Sequence, residues 1–236
     1  MKNAYFIGMG DYEDLAAAKE RIILGGAKLH DSTRKTLCDI ADEYIDDLAN
    51  ELSFMRGRIF GMLGGNHYFM YPSGITSDQK LCDKLGCEYL GCSAFIKLTI
   101  AYSSSKRRLA YDIWAHHGRG AARTPGGDIN RVEQMREAME SDAYMMGHSH
   151  HRSIVPVEKL ELVDHHNSKP YIRRKVQWLC RTGSFLNSYK DGEVSYIVDA
   201  AKNPLDQGCV ILTLTLRRED TKDHDRCWID SQGAYL

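Results

Sequence analysis

His148 and His150 stand two residues apart in the stretch Met146-Gly147-His148-Ser149-His150-His151. They follow a short apolar run, Ala143 to Met146, that ends in Gly147. Such a run closed by glycine reads as a buried strand entering a tight turn. Residues i and i+2 of an extended chain point to one face, so the two imidazoles could converge on one point. Neutral imidazole is a common ligand for zinc, iron, copper and nickel. Taken alone, the pair is as readily two surface histidines in a polar loop. Three other stretches share its construction, each following an apolar run. They are Gly10-Asp11, Gly65-Asn66-His67 and His116-His117-Gly118. Carboxylate, amide and imidazole groups at successive strand ends are the donor set of a divalent-metal site. A metal held there lowers the pKa of bound water to about 7 and supplies a nucleophilic hydroxide.

The elements that must position these residues follow from the hydrophobic pattern. Ala4 to Met9 is a first buried strand, and Leu15 to Arg21 a short Ala-rich helical patch. From Asp31 to Leu52, Leu37, Ile40, Ala41, Tyr44, Ile45, Leu48 and Leu52 recur at three- and four-residue steps. That period predicts a helix, with Asp31 or Ser32 as its cap. Arg58 to Leu63 is a second strand and Ser77 to Leu85 a short helix. Ala94 to Ala101 and Arg108 to Ala115 are strands joined by a turn at Ser103 to Lys106. A basic, Gly-rich loop, Arg119 to Gly127, leads into a helix over Ile129 to Glu140 and then the strand before Gly147. Beyond His151 the pattern is strand-rich: Ser153 to Leu162, Tyr171 to Arg181, Val194 to Val198 and Cys209 to Leu216. The last twenty residues are polar and rather charged. Alternating strands and helices followed by strands predict an α/β class. In open α/β sheets, sites form beyond the carboxyl ends of strands. No composition break demands a boundary, so residues 1–236 are expected to form a single domain.

Composition narrows the function classes. The chain has 236 residues, enough for a sizeable core, and a formal net charge of −1. A general nucleic-acid binder would carry a basic surplus. No apolar run has the length of a membrane span, and the first residues lack a signal-peptide pattern. Seven cysteines, none in Cys-x-x-Cys spacing, support neither a zinc ribbon nor a redox motif and suit a reducing cytoplasm. His30, His165 and His166 lack a strand-end setting and read as surface residues.

The ordered clusters Gly10-Asp11-Tyr12-Glu13-Asp14, Gly65-Asn66-His67-Tyr68, His116-His117-Gly118 and Gly147-His148-Ser149-His150 resemble those of the calcineurin-like metallophosphoesterases. Thr182-Gly183-Ser184-Phe185 with Ser195-Tyr196 is similar to members found among phage and prophage proteins. The resemblance implies a four-layer α/β/β/α sandwich and two divalent metals (manganese, iron, zinc or nickel) about 3.5–4 Å apart. It implies metal ligands at Asp11, which would bridge the two ions, and at Asn66, His148, His150 and one of the middle pair. His116 is favoured there because it comes first after its strand. His67 would contact the phosphate and protonate the leaving oxygen, with Asp14 orienting it. Arg119 and Arg123, in the loop after the middle histidines, are candidate phosphate contacts; the alternative is a solvated basic loop.

Two features depart from the family pattern. Its opening Asp-x-His block is absent, since the nine residues before Gly10 hold neither aspartate nor histidine. By resemblance the chain lacks the first strand and two ligands of one metal. That predicts a less stable, aggregation-prone fold and a start lying upstream, a truncated gene, or a one-metal protein. Tyr68 replaces the acid expected after Gly-Asn-His. The expected function is metal-dependent hydrolysis of a phosphomonoester or phosphodiester, with nucleotides and nucleic acid among the substrates the resemblance allows. The alternative is a binding or scaffold protein with a degenerate site, or the remnant of a longer enzyme.

Overall fold

The computed structural model describes residues 3–26, 29–101, 108–120, 122, 124–163, 170–186, 189, 192, 198, 204–205, 207–220 and 225–236. The chain is mixed α/β and divides into two compact units. One comprises the residues up to Ala94 with His116–Gly118; the other comprises Phe95–Ala115 and Arg119–Leu236.

In the first unit, β1 (Phe6–Gly8) runs parallel to β2 (Ile59–Met62), with Gly8 opposite Met62. A bridge from Met62 to Tyr89 extends this sheet. The helices α1 (Ala18–Gly26), α2 (Asp31–Glu51) and α3 (Ser77–Leu85) belong to the same unit. The core joins Ile45 and Ala49 of α2, Met62 of β2, and Leu81, Cys82 and Leu85 of α3. Helix α2 begins where its period predicts, but its cap is His30. The His30 Nδ1 accepts from the Ser32 backbone N–H, so neither Asp31 nor Ser32 is the cap. A short 3-10 turn, Leu52–Met55, closes α2. Helix α3 opens on a capping box. Gln79 N–H donates to Thr76 Oγ1 at 3.2 Å, and Thr76 N–H donates to Gln79 Oε1 at 2.8 Å. Gly86, at φ 70°, ends it in the left-handed region.

The second unit holds a five-stranded sheet. Its elements are β3 (Ser93–Ala101), β4 (Arg108–His116), β5 (Ala143–Met146), β6 (Arg152–Val163) and β7 (Tyr171–Thr182), in the order β3-β4-β5-β7-β6. The pair β5–β7 is parallel and the pair β6–β7 antiparallel, so the sheet is mixed. Helix α4 (Pro125–Ala138) starts four residues before the expected Ile129, with Thr124 as its cap. Its Val132 and Met135 pack on Tyr144 of β5 and Leu179 of β7. The tail forms a hairpin, β8 (Val210–Asp220) with β9 (Asp225–Tyr235). The sequence does not announce β9, whose apolar residues cluster at Cys227, Trp228 and Ile229 and at Ala234 and Tyr235 rather than alternate; pairing with β8 makes it a strand. The Trp178 indole N–H donates to Ser231 Oγ at 2.9 Å, which ties this hairpin to β7. The turn expected at 103–106 lies outside the described residues, as does the strand at 194–198 apart from Val198. Among the described residues, no helix is long and apolar enough to cross a membrane.

Candidate metal centre

Parallel pairing of β1 with β2 sets their two carboxyl ends side by side. Beyond β1 the chain turns through Gly10, at φ 88°, into Asp11, at φ 53°. Beyond β2 it turns through Gly64 and Gly65 into Asn66 and His67. The turns interlock. Asp11 Oδ1 accepts the backbone N–H of Asn66 at 2.6 Å and of His67 at 3.1 Å. A Cβ on Gly65 would collide with the Asp11 nitrogen and carboxylate, and one on Gly10 with the His117 ring. Glycine is required at both positions by this close approach. On its other side, the Gly65 N–H donates to Asp78 Oδ2 at 2.7 Å.

The third contribution to this unit comes from the end of β4. His117, not His116, stands against the carboxylate. Its Nε2 lies 2.9 Å from Asn66 Oδ1 and 3.3 Å from Asp11 Oδ2, and its Nδ1 lies 2.7 Å from the Met9 carbonyl. His117 is buried, and Asp11 and His117 offer ligand atoms within metal-binding reach of each other. The His116 Nδ1 instead accepts the Gly118 N–H at 2.7 Å. The sequence favoured His116 as the first residue past an apolar run. It is in fact the last residue of β4, and the turn that follows aims its successor at Asp11.

The protons of this cluster are constrained. A carbonyl only accepts, so the Met9 contact puts a proton on His117 Nδ1. In the neutral ring, Nε2 then faces two oxygens with a lone pair. Three electron-pair donors meeting in this way suit a cation among them or a second proton on the ring. Burial lowers the His117 pKa, but the Asp11 carboxylate and the Met9 carbonyl outweigh it and raise the value. At His116, burial and the neighbouring His117 lower it.

His67 projects beside this cluster. Its Nδ1 lies 2.5 Å from Asp14 Oδ1, which leaves Nε2 as the nitrogen able to exchange a proton with a substrate. Several groups that sequence reasoning passed over support the loop. The Arg21 guanidinium donates to the Asn66 carbonyl at 2.7 Å and the Tyr68 carbonyl at 3.3 Å, and lies 3.9 Å over the Tyr68 ring. The tyrosine that departs from the family pattern is thus a platform for this cation. Glu13 is buried too. Burial, and then the nearby Asp78 carboxylate, push it up to about 8.

In the second unit, the turn after β5 carries His148 and His150, half-buried and both in the left-handed region at φ 68° and 65°. His151 Nδ1 is bonded to the buried Asp128 carboxylate, a partnership that sequence spacing does not reveal. Arg119 is exposed, and its carbonyl accepts from Arg131 at 2.5 Å. Arg123, His165, His166, Ser195 and Tyr196 lie outside the described residues, while His30 is exposed.

No protein-family model and no curated protein matches this chain. Among solved structures it is similar to Vps29 from Entamoeba histolytica. The zinc complex of that protein aligns at 12% identity and a TM-score of 0.35, over 79% of this chain and 88% of that one. A single mutant of it aligns at 16% identity and a TM-score of 0.34, over 79% and 89% of the two chains.

Proposed function

We propose that this protein is a metal-dependent phosphoesterase. The observation that carries the reading is the meeting of Asp11, Asn66 and His117 in the first unit, where three electron-pair donors face one another. Carboxylate oxygen, amide oxygen and imidazole nitrogen suit manganese, iron, zinc or nickel. A divalent ion there would be held by these three groups, with His148 and His150 added by the motif order that the sequence shares with the metallophosphoesterases. Bound metal supplies a hydroxide near neutral pH and offsets charge on the phosphoryl oxygens. The chain's own part is to hold the ligands and move a proton. Two backbone N–H groups fix Asp11 Oδ1 and leave Oδ2 towards His117. Asp14 orients His67, whose Nε2 would protonate the leaving oxygen. The likeness to phage-type members and a nucleotide or nucleic-acid substrate belong to this proposal on sequence resemblance alone.

A second reading is a metal-binding or scaffold protein without turnover. What favours it is Tyr68, which stands where the resemblance expects an acid beside the proposed proton donor His67. Hydrolysis of bis(p-nitrophenyl) phosphate with added manganese separates the two. The phosphoesterase reading expects turnover that EDTA abolishes. His67→Ala should remove that turnover and leave metal bound. Metal binding without hydrolysis of this diester or of p-nitrophenyl phosphate would favour the scaffold. Loss of metal from His67→Ala would refute its role as acid.

A further inference from the structure

The turn after β5 is held by a buried polar cluster that the proposed chemistry does not use. Arg181, on β7, and Asp128, on α4, are both 0% exposed. The Arg181 guanidinium donates from Nη1 to the Gly147 carbonyl at 3.1 Å and from Nη2 to Asp128 Oδ1 at 3.0 Å. Asp128 Oδ1 also accepts the Ala122 N–H at 2.9 Å, and Oδ2 is bonded to His151 Nδ1. One carboxylate therefore ties the start of the His-rich turn, through Arg181, to its end at His151. Between these anchors lie His148 and His150, both in a backbone region that disfavours side chains. Such a conformation persists only where the surroundings over-determine it.

We infer that Asp128 and Arg181 are positioning residues that clamp the turn from Gly147 to His151, and that Asp128 fixes His151 as the tautomer protonated on Nδ1 and bare on Nε2. The tautomer follows from the partners. Oδ1 is engaged by two donors, the Arg181 and Ala122 N–H groups, so the remaining oxygen can only receive a proton from the imidazole. A carboxylate behind an imidazole in this way sets the ring's orientation, and here it fixes the end of the turn that carries His148 and His150. The clamp stands on contacts within the second unit. Its link to metal affinity rests on the phosphoesterase reading.

The test is long-range 15N–1H NMR of the histidine rings in the metal-free full chain, with the His151 signals identified by their loss in His151→Gln. The expected result is Nδ1 protonated and Nε2 bare. In Asp128→Asn, the amide oxygen stays with the Arg181 and Ala122 donors and the NH2 group faces His151. The ring should then switch to the tautomer protonated on Nε2, and amide exchange over Ser149–His151 should quicken roughly tenfold or more while Ala143–Met146 stays protected. Zinc affinity of the full chain, by calorimetry, should fall about 10- to 100-fold. A wild-type His151 protonated on Nε2 overturns the inference, and that measurement does not require the variant to fold. Unchanged exchange in a folded Asp128→Asn overturns the clamp. Failure of the wild-type chain to bind zinc would defeat the metal reading, whereas the tautomer and exchange results would still decide the clamp.

Discussion

Asp11, His148 and His150 adopt positive φ angles of 53°, 68° and 65°. For a residue with a Cβ this region costs roughly 1–2 kcal/mol. Strain held at three candidate ligands is characteristic of a functional site, because the surrounding contacts must sustain it. At Asp11 those contacts are the Asn66 and His67 N–H groups. The residue scale also separates the two adjacent histidines. His117→Ala should weaken zinc binding by more than the roughly 10- to 100-fold typical of losing a group that only orients a ligand. His116→Ala should leave it nearly unchanged, as its Nδ1 serves a local turn. Titration calorimetry on both variants checks this, and the reverse order would return the ligand role to His116.

The elements place the residues through their ends. The capping box of α3 concerns the centre as well as the helix, because Asp78 sits in the first turn of that helix and holds the Gly65 N–H. An acid there also meets the favourable end of the helix dipole. Thr76→Ala should cost about 1 kcal/mol, read as a lowered midpoint in urea. An unshifted midpoint would mean that the cap contributes nothing to stability. Strand β7 shows a related economy. Gln177 and Arg181 lie four residues apart, on one face of the strand, and both are 0% exposed. Gln177 Nε2 donates to the Ser141 carbonyl at 2.8 Å, and its Oε1 accepts from Arg136 at 3.1 Å. Polar residues are tolerated in this buried strand because each finds hydrogen-bond partners on neighbouring elements.

At the scale of the molecule, the two units can be observed separately. All three tryptophans, Trp114, Trp178 and Trp228, belong to the second unit. Its response to acid should depend on Asp128. Burial raises the pKa of that carboxyl, but the His151 hydrogen bond, the Ala122 N–H and the Arg181 charge outweigh it and hold the value low. A depressed folded-state pKa contributes stability above the unfolded carboxylate value, about 3.9. That contribution is lost as pH falls through the folded value. Tryptophan fluorescence should therefore report acid unfolding below about pH 4. Asp128→Asn should be destabilised at neutral pH by about 3–5 kcal/mol, since Arg181 is left buried without its counter-charge. It should also lose much of the acid dependence. An unaltered acid transition in the variant would exclude Asp128 as its origin.

The sequence by itself determined the α/β class and most elements, from Ser77–Leu85 as a helix to Arg108–Ala115 as a strand. Hydrophobic period and turn residues are local properties, and they suffice for elements with strong patterns. It also marked the strand ends where ligand-type residues gather. Tertiary structure alone decided which of two adjacent histidines meets Asp11, because that depends on how the chain turns after β4. Nor could spacing reveal that Arg21 grips the Asn66 loop, 45 residues away in sequence, or that Asp128, Arg181 and His151 share one buried cluster. Strand β9 was illegible for the same reason. Its partner, and not any alternation in its own sequence, supplies the hydrogen bonds that make it a strand.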